Sequence, residues 1–458
     1  MRYLILILAL FVTPASAQQI PQSAADIQLS FVPVVKQAAP AVVNIYAKIV
    51  REVRRTPLQS DPFFERFFRD PLADRKPRVQ NSLGSGVILS EDGIVVSNYH
   101  VVGMATDIRV VLNDRREFTA RVLLGDEESD LAILKIDAPD DLPFLELRAS
   151  DSVEVGELAL AIGNPFGVGQ TVSSGIVSGL ARSGGTAGRG HGYFIQTDAP
   201  INPGNSGGAL VDMAGRLIGV NTSILTRSGG SNGIGFAIPA DLVAAFVAQS
   251  QEGRNSFERP WAGISGQPLD ADMAATLGFD RSGGIIISGL HPASPFLQAG
   301  LAVGDVILAV GGQSVNTPSE MVYRMSVAGL EAQAEVTFSR QGEERTAKVA
   351  LIAAPEEPSR DKITLPERSL FPGLTLARIN PAVLSELNLS LEVEGVAVMD
   401  VGPFAVRAGL RTGDVLMEIN GETLAHPDDA AKLLSGSVRR IEMIVQRGVR
   451  RITMRFRG

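Results

Sequence analysis

Gly204-Asn205-Ser206-Gly207-Gly208 is the stretch on which the reading of this chain turns. A glycine-rich turn of this kind exposes one serine hydroxyl and lets the backbone N–H groups of Gly204, Asn205 and Ser206 converge without side-chain obstruction. Those are the parts of a nucleophile with an oxyanion hole, suited to an acyl carbon and needing no metal and no cofactor. The same small residues also build plain hairpin turns, so the stretch acquires chemical meaning only if a base and an orienting acid lie elsewhere.

The chain has 4 histidines. His100 ends the apolar run Val95-Val96-Ser97-Asn98-Tyr99-His100, where a rigid strand would fix an imidazole. His191 lies in the glycine-rich Gly188–Gly192, and His291 and His426 sit near prolines in a later repeated region, where turn roles are expected. The third member must be a carboxylate that holds the imidazole tautomer and stabilises the imidazolium. Asp130 begins the apolar run Leu131–Ile136, where an acid would be partly buried and would need a partner. Asp126, in a Gly125-Asp126-Glu127-Glu128 surface turn, and Asp198, in Thr197-Asp198-Ala199-Pro200, are its competitors; the latter suits a local backbone bond.

The order His100, Asp130, Ser206 is opposite to that of α/β-hydrolases, whose Gly-x-Ser-x-Gly elbow this stretch would also match. From about Val79 to Phe236 the chain consists of short apolar strands punctuated by glycine turns, such as Gly86–Leu89, Ile108–Leu112 and Leu217–Val220. That pattern predicts a β-barrel rather than alternating strands and helices.

With Gly84-Ser85-Gly86-Val87-Ile88, Ser97-Asn98-Tyr99-His100-Val101-Val102, Ser129-Asp130-Leu131-Ala132, Gly163-Asn164-Pro165-Phe166-Gly167 and Gln196 to Gly208 in one order, the chain resembles the HtrA/Deg (Do-like) serine proteases. The resemblance covers nearly the whole mature chain, and Ser97 stands where the family usually has threonine. It implies a mainly β protein: a chymotrypsin-like double β-barrel protease domain followed by two PDZ domains, with His100, Asp130 and Ser206 as the triad.

The 458 residues exceed the usual size of a single core and lead us to expect several domains. Met1-Arg2-Tyr3, the apolar Leu4 to Val12 and Ala15-Ser16-Ala17 read as a signal peptide, residues 1–17; its apolar segment is too short to span a bilayer comfortably, and no transmembrane span is expected. Family resemblance makes the periplasm the expected compartment. The chain has no cysteine and therefore no structural disulfide. With 42 basic and 50 acidic residues its net charge is −8, and nothing in this balance attracts nucleic acid. The arginines at 439, 440, 447, 450, 451 and 455 alternate with apolar residues and read as the solvated face of closing strands.

Beyond Ser256 the sequence repeats. Ala299-Gly300-Leu301-Ala302-Val303-Gly304-Asp305-Val306-Ile307 returns as Ala408-Gly409-Leu410-Arg411-Thr412-Gly413-Asp414-Val415-Leu416. Each copy resembles a PDZ domain, a fold that adds a peptide as a strand to a sheet edge and takes a terminal carboxylate on backbone amides. The expected order is a protease domain over 18–255, a first PDZ domain over 256–353, a Pro/Glu-rich linker over 354–367 and a second PDZ domain over 368–458. Trp261, Ala262, Gly263 and Ile264 match the carboxylate loop of the first copy, with Ala262 departing from the family's aliphatic residue. Phe371-Pro372-Gly373-Leu374 is the poorer counterpart in the second, which suits assembly more than peptide capture.

The resemblance carries further expectations. Pro200, six residues before the nucleophile, replaces the acid of a trypsin-like pocket, and Ile201, Ile224 and Ile234 match the family's pocket-lining positions. Such a pocket suits small or β-branched aliphatic residues, which are buried in folded proteins, so unfolded proteins are the expected substrates. Residues 51–80, with Phe63, Phe64, Phe67 and Phe68, resemble a regulatory loop. Ala181 to Gly192 resembles a sensor loop with Arg182 as its responsive residue. Phe31 and Phe166 suit a homotrimer contact, with trimers joining into larger multiples, and hydrophobic C-terminal peptides are expected partners of the first PDZ domain. The expected function is an ATP-independent endopeptidase for misfolded envelope proteins. The competing expectation is a chaperone or PDZ scaffold whose triad is held inactive.

Overall fold

The computed structural model describes residues 30–51, 78–164, 169–183, 193–202, 204–224, 233–279, 282–435 and 440–456, with the side chains of 49–51, 78–81, 181–183 and 223–224 left aside. The expected signal peptide, the phenylalanine cluster of the regulatory loop, Phe166, His191 and the side chains of Arg182 and Ile224 therefore lie outside the described residues. Contacts divide the chain into one compact unit holding most residues up to Asn255 and a second holding Ser256–Gly458.

Within the described part of the first unit, twelve strands close into two barrels. The first barrel contains β1 (Val42–Arg51), β2 (Arg78–Ile88), β3 (Ile94–Ser97), β4 (Asp107–Val111), β5 (Glu117–Asp126) and β6 (Leu131–Ile136), in the order β1-β2-β3-β6-β5-β4. The second contains β7 (Leu158–Gly163), β8 (Thr171–Ser183), β9 (Tyr193–Thr197), β10 (Ala209–Val211), β11 (Leu217–Ile224) and β12 (Gly235–Pro239), in the order β10-β11-β12-β9-β8-β7. Closure removes the exposed edges that short apolar strands would otherwise present. It also explains why β3 and β10 are apolar at nearly every position: all their residues are buried.

Helix Ala240–Gln251 follows β12 directly, and Pro239, with extended backbone, is its N-cap. Leu242, Val243 and Phe246 lie on its buried face. It packs on β11 and β12 of the second barrel and on β5 and β6 of the first. Phe246 is fully buried there. Burial of such a side chain stabilises by about 2–3 kcal/mol, and this one acts on the joint between the barrels.

The second unit holds two antiparallel sheets built on one plan. The first consists of β13 (Ile264–Pro268), β14 (Ile285–Leu290), β15 (Val306–Val310), β16 (Gln313–Ser314), β17 (Gln333–Arg340) and β18 (Glu343–Ala350), ordered β13-β14-β15-β17-β18 with β16 beside β15. The second has β19 (Ile363–Thr364), β20 (Thr375–Arg378), β21 (Val396–Asp400), β22 (Val415–Ile419), β23 (Glu422–Thr423), β24 (Ile441–Arg447) and β25 (Arg450–Phe456), ordered β19-β20-β21-β22-β24-β25 with β23 beside β22. From β20 onward it repeats the first sheet strand for strand. Helix Pro318–Ala328 in the first sheet's domain corresponds to helix Pro427–Leu433 in the second.

Two expectations need correction here. Residues 354–367 are not a bare linker, because Ile363–Thr364 pairs with β20 and Leu365 is buried in the second domain's core. The C-terminal arginines are not all a solvated face. Arg447 turns inward onto the buried Asp414 carboxylate at 2.7 Å from both Nε and Nη2. Among the described residues no helix is long and apolar enough to cross a membrane.

Candidate active site

His100 stands not on β3 but one step beyond it, in the short helix Tyr99–Val102. The side chains of Val101 and Val102 bury this turn while the imidazole stays about half exposed, open on its outer face. Asp130 lies immediately before β6 with φ of +53°, a left-handed conformation that directs its backbone and side chain to the same turn. Its carbonyl accepts from Tyr99 N–H at 3.2 Å and Asn98 Nδ2 at 2.9 Å. Its carboxylate accepts from the His100 backbone N–H at 2.9 Å and lies 2.9 Å from His100 Nδ1 through either oxygen. With Nδ1 facing a carboxylate, the proton sits on Nδ1 and Nε2 is the available base.

The competing acids are occupied by backbone. Asp126 accepts from Ser129 N–H at 2.7 Å, and Asp198 accepts from Ile176 N–H at 2.7 Å, joining β8 to the turn after β9. Geometry therefore favours Asp130 as the partner of His100.

Ser206 sits in a turn fixed by glycine geometry. Gly204 has φ of +98°, and Gly207 has φ of +83°, where a Cβ would lie 2.1 Å from Ser85 O. The Ser206 hydroxyl donates to Thr222 O at 2.9 Å, and among the described residues no hydrogen bond joins it to His100. Catalytic hydrogen bonds commonly tighten only when substrate is bound. The amides of Gly204 and Ser206 have no acceptor among the described residues. The Asn205 amide does, donating to Asn202 O at 3.0 Å. It is therefore removed from the expected oxyanion hole, leaving two donors.

Two residues that sequence reasoning missed hold this arrangement together. Thr222, on β11, donates its hydroxyl to Asp130 Oδ2 at 2.6 Å while its carbonyl receives Ser206 Oγ, so one residue touches both acid and nucleophile. Ser85, on β2, binds the nucleophile turn twice: its N–H donates to Ser206 O at 2.9 Å and its hydroxyl to Gly204 O at 2.7 Å. That hydroxyl also accepts from Asn164 N–H at 2.8 Å. The buried Ser97 hydroxyl in turn donates to Ser85 O at 2.8 Å. Serine there supplies the hydroxyl that threonine would. The only signals were small polar residues in apolar strands, a pattern that equally fits edge positions.

The isoleucines expected to line a pocket gather at one end of the second barrel. The backbone of Ile224 pairs with Gly235, and the adjoining Ile234 is half-buried. Ile201 is 1% exposed and belongs to the barrel core, where its Cδ1 would lie 2.7 Å from a Cβ at position 235. Glycine at 235 is what lets Ile201 lie there. Phe31 is half-buried at the start of helix Val32–Ala38.

In the first PDZ domain, Trp261, Ala262, Gly263 and Ile264 come together ahead of β13. Gly263 has φ of +61°, and a Cβ there would come within 2.7 Å of the Trp261 ring. Its carbonyl accepts from His291 N–H at 2.9 Å, the Ala262 carbonyl accepts from Ser294 Oγ at 2.6 Å, and the His291 ring meets Trp261 edge-on at 5.3 Å. His291 thus has a turn role, its Nδ1 accepting from Ala293 N–H. His426 does likewise at the start of helix Pro427–Leu433.

Comparisons with known proteins agree with this architecture. Residues 84–220 match the trypsin-like peptidase domain model, and 262–351 and 395–447 each match a PDZ domain model. A probable periplasmic serine endoprotease DegP-like of Marinomonas sp. (strain MWYL1) is 37% identical over 420 residues, covering 88% of this chain and 87% of that protein. The periplasmic pH-dependent serine endoprotease DegQ of Escherichia coli (strain K12) is 35% identical over 422 residues, covering 92% and 89%. Among solved structures, the HtrA-type protease AlgW with decapeptide is 40% identical with a TM-score of 0.52, covering 71% of this chain and 99% of that one. With two closed barrels, a His–Asp pair and a glycine-framed serine, and two PDZ sheets later in the chain, the chain belongs to the HtrA/Deg family of periplasmic serine endoproteases.

Proposed function

We propose that His100, Asp130 and Ser206 form the catalytic triad of an ATP-independent endopeptidase that degrades unfolded envelope proteins. The observation that carries the assignment is the Asp130 carboxylate, which receives three donors: His100 N–H, His100 Nδ1–H and the Thr222 hydroxyl. Those contacts fix the imidazole tautomer and favour the imidazolium that forms when Nε2 takes the Ser206 proton. Ser206 Oγ then attacks the scissile carbonyl, and the Gly204 and Ser206 amides receive the developing oxyanion. His100 returns the proton to the leaving amine, and water completes hydrolysis of the acyl-enzyme by the same base. Ile224 and Ile234 shape an apolar S1 site, and Ile201, expected to share that role, supports it from within the barrel core where it packs on Gly235.

Regulation rests on the first PDZ domain, whose Trp261–Ile264 loop suits an apolar C-terminus; the AlgW structure with decapeptide supports peptide capture in such a protein. Arg182 relays that occupancy, and the chain works in the periplasm as trimers or multiples of trimers. A second reading is favoured by one contact. With Ser206 Oγ turned to Thr222 O, the resting enzyme holds unfolded protein without cutting it, as a chaperone would. Digestion of β-casein by wild type and by Ser206→Ala, with fragments mapped by mass spectrometry, tests both. Cleavage after Val, Ile or Ala in the wild type alone supports the protease; no cleavage under any assembly condition supports the holding protein.

A further inference from the structure

The strand correspondence between the two PDZ sheets leaves one element unmatched. β13 and β20 are the same strand of the two sheets, each following its carboxylate loop. β13 pairs with β14, and among the described residues no strand pairs with its other edge. β20 has a neighbour on both sides, because β19 occupies the corresponding edge.

The covering segment has the geometry of a bound peptide. Ile363 lies opposite Leu376 and Thr364 opposite Thr375, antiparallel, with the two threonine hydroxyls 2.9 Å apart. At one end Arg378 N–H donates to Arg360 O at 2.7 Å; at the other Leu365 N–H donates to Leu374 O at 2.8 Å. The segment therefore runs toward the loop at Phe371–Leu374, the polarity a peptide must have to bring its C-terminus to a carboxylate loop. There the Gly373 amide, at φ of +79°, donates to Leu365 O at 3.0 Å, and the Leu365 side chain is 3% exposed in the domain core. The other wall of the groove is engaged as well: His426 Nε2, at the start of helix Pro427–Leu433, lies 3.0 Å from Asp361 Oδ2. Asn380 Nδ2 donates to Pro358 O at 2.8 Å, and Arg360 Nη1 meets Glu386 Oε2 at 2.7 Å.

We propose that the second PDZ domain carries a peptide-binding edge whose resident occupant is the chain's own residues 360–365, seated in cis with Leu365 as the terminal residue of a ligand would be. This rests on the reading of the first domain as a peptide receptor. The seven residues 366–372 that join Leu365 to Gly373 set an effective concentration on the order of millimolar or above, so a free peptide of ordinary PDZ affinity does not displace the segment. The first domain is then the C-terminus receptor, and the second holds its groove shut.

Hydrogen exchange on full-length Ser206→Ala, with and without a saturating decapeptide ending Ala-Leu-Val, tests this. Without peptide, amides of 374–378 should exchange at least about 100-fold more slowly than those of 264–268, the difference between a paired and a bare edge. Peptide should slow 264–268 and leave 374–378 unchanged. If 374–378 exchanges as fast as 264–268, or slows when peptide is added, the proposal is overturned. Protected 374–378 with an unresponsive 264–268 leaves it standing and removes the receptor reading of the first domain instead. A second arm uses the absence of native cysteine: Thr364→Cys with Thr375→Cys can form one disulfide, locking the segment down. Oxidised and reduced forms should bind equal amounts of the labelled peptide. A class of sites present when reduced and lost when oxidised would show that peptides enter by displacing the segment.

Discussion

The two PDZ domains share a buried ion pair, a strand order and a helix position, and differ at one edge. In the first, Arg340 grips Asp305 through Nε at 2.7 Å and Nη2 at 2.6 Å, and Nη2 also donates to Gly300 O at 2.8 Å. In the second, Arg447 grips Asp414 at 2.7 Å through both nitrogens and donates to Gly409 O at 2.7 Å. Each aspartate also closes its own turn, accepting from Ala302 N–H and Arg411 N–H at 2.8 and 2.9 Å. The repeated Ala-Gly-Leu-x-x-Gly-Asp is therefore a structural signature: it anchors the turn before the central strand to the strand beside it. What the duplication did not preserve is the pairing at this edge: β20 has β19 beside it, whereas among the described residues no strand pairs with the other edge of β13.

That contrast has meaning only against a working cleft, so its baseline is the largest effect. Ser206→Ala, His100→Ala and Asp130→Asn should each lower casein cleavage by about 10⁴-fold or more, because the three act as a unit. Circular dichroism should be unchanged in each. If Asp130→Asn keeps near-full turnover while Asp198→Asn loses it, the acid has been misassigned.

The shared part of the two domains should break symmetrically. Asp305→Ala and Asp414→Ala each leave a guanidinium facing an emptied, partly buried site. Because both arginines remain about 30% exposed and solvent screens them, each variant should be destabilised by less than the loss of a fully buried partner would cause, and only in the affected domain. Calorimetry should show one domain's transition falling in each variant. A loss in one domain only would mean that the pairs, though superficially alike, do unlike jobs.

The unshared part should break asymmetrically. Both glycines have positive φ, but Gly263→Ala also drives a Cβ into the Trp261 ring, whereas the nearest atom to a Cβ at Gly373 is 3.9 Å away. Gly263→Ala should remove stimulation by apolar C-terminal peptides, about a tenfold loss of affinity for the 1–2 kcal/mol of strain at such a site. Gly373→Ala should leave stimulation intact, measured as reporter cleavage against peptide concentration. Equal loss in both variants would make the second domain a receptor too.

How much of this was legible follows from where each interaction lies along the chain. The barrels and the His–Asp–Ser order could be read because β3, β6 and β10 are apolar runs and the reactive residues interrupt them. The repeat was visible because its anchoring aspartate sits in a conserved local frame within the chain itself. Thr222 and Ser85 were hidden: their partners are 92 and 119 residues away, and a small hydroxyl residue in a strand carries no sign of what it faces. The Asn205 amide was misplaced because a turn's donors can be directed inward or outward by peptide orientation, which residue types do not encode. Residues 363–365 were read as linker because Pro/Glu-rich flanks outweighed three residues able to form a strand, and only the facing edge of β20 makes a strand of them.

The smallest predicted effect is a pH response confined to the first domain. Burial holds the His291 imidazole below its ordinary value of about 6.5. Its neutral Nδ1 accepts from Ala293 N–H at 3.1 Å, its backbone N–H donates to Gly263 O, and its ring edges against Trp261. A histidine with a lowered folded-state pKa binds fewer protons folded than unfolded. Its contribution to stability is therefore complete above about 6.5 and is lost as pH falls through that value toward the folded pKa. Protonation converts Nδ1 from acceptor to donor and breaks the turn that holds the Gly263 carbonyl. Peptide binding to the first domain should weaken roughly two- to threefold between pH 7.5 and 5.5, a fraction of one hydrogen bond's ~1 kcal/mol. His291→Asn, which retains an acceptor, should flatten that profile when binding is followed by fluorescence anisotropy on the Ser206→Ala background. An unchanged slope in His291→Asn would move the pH response away from this turn, and with it the idea that the carboxylate loop is tuned by the residue behind it.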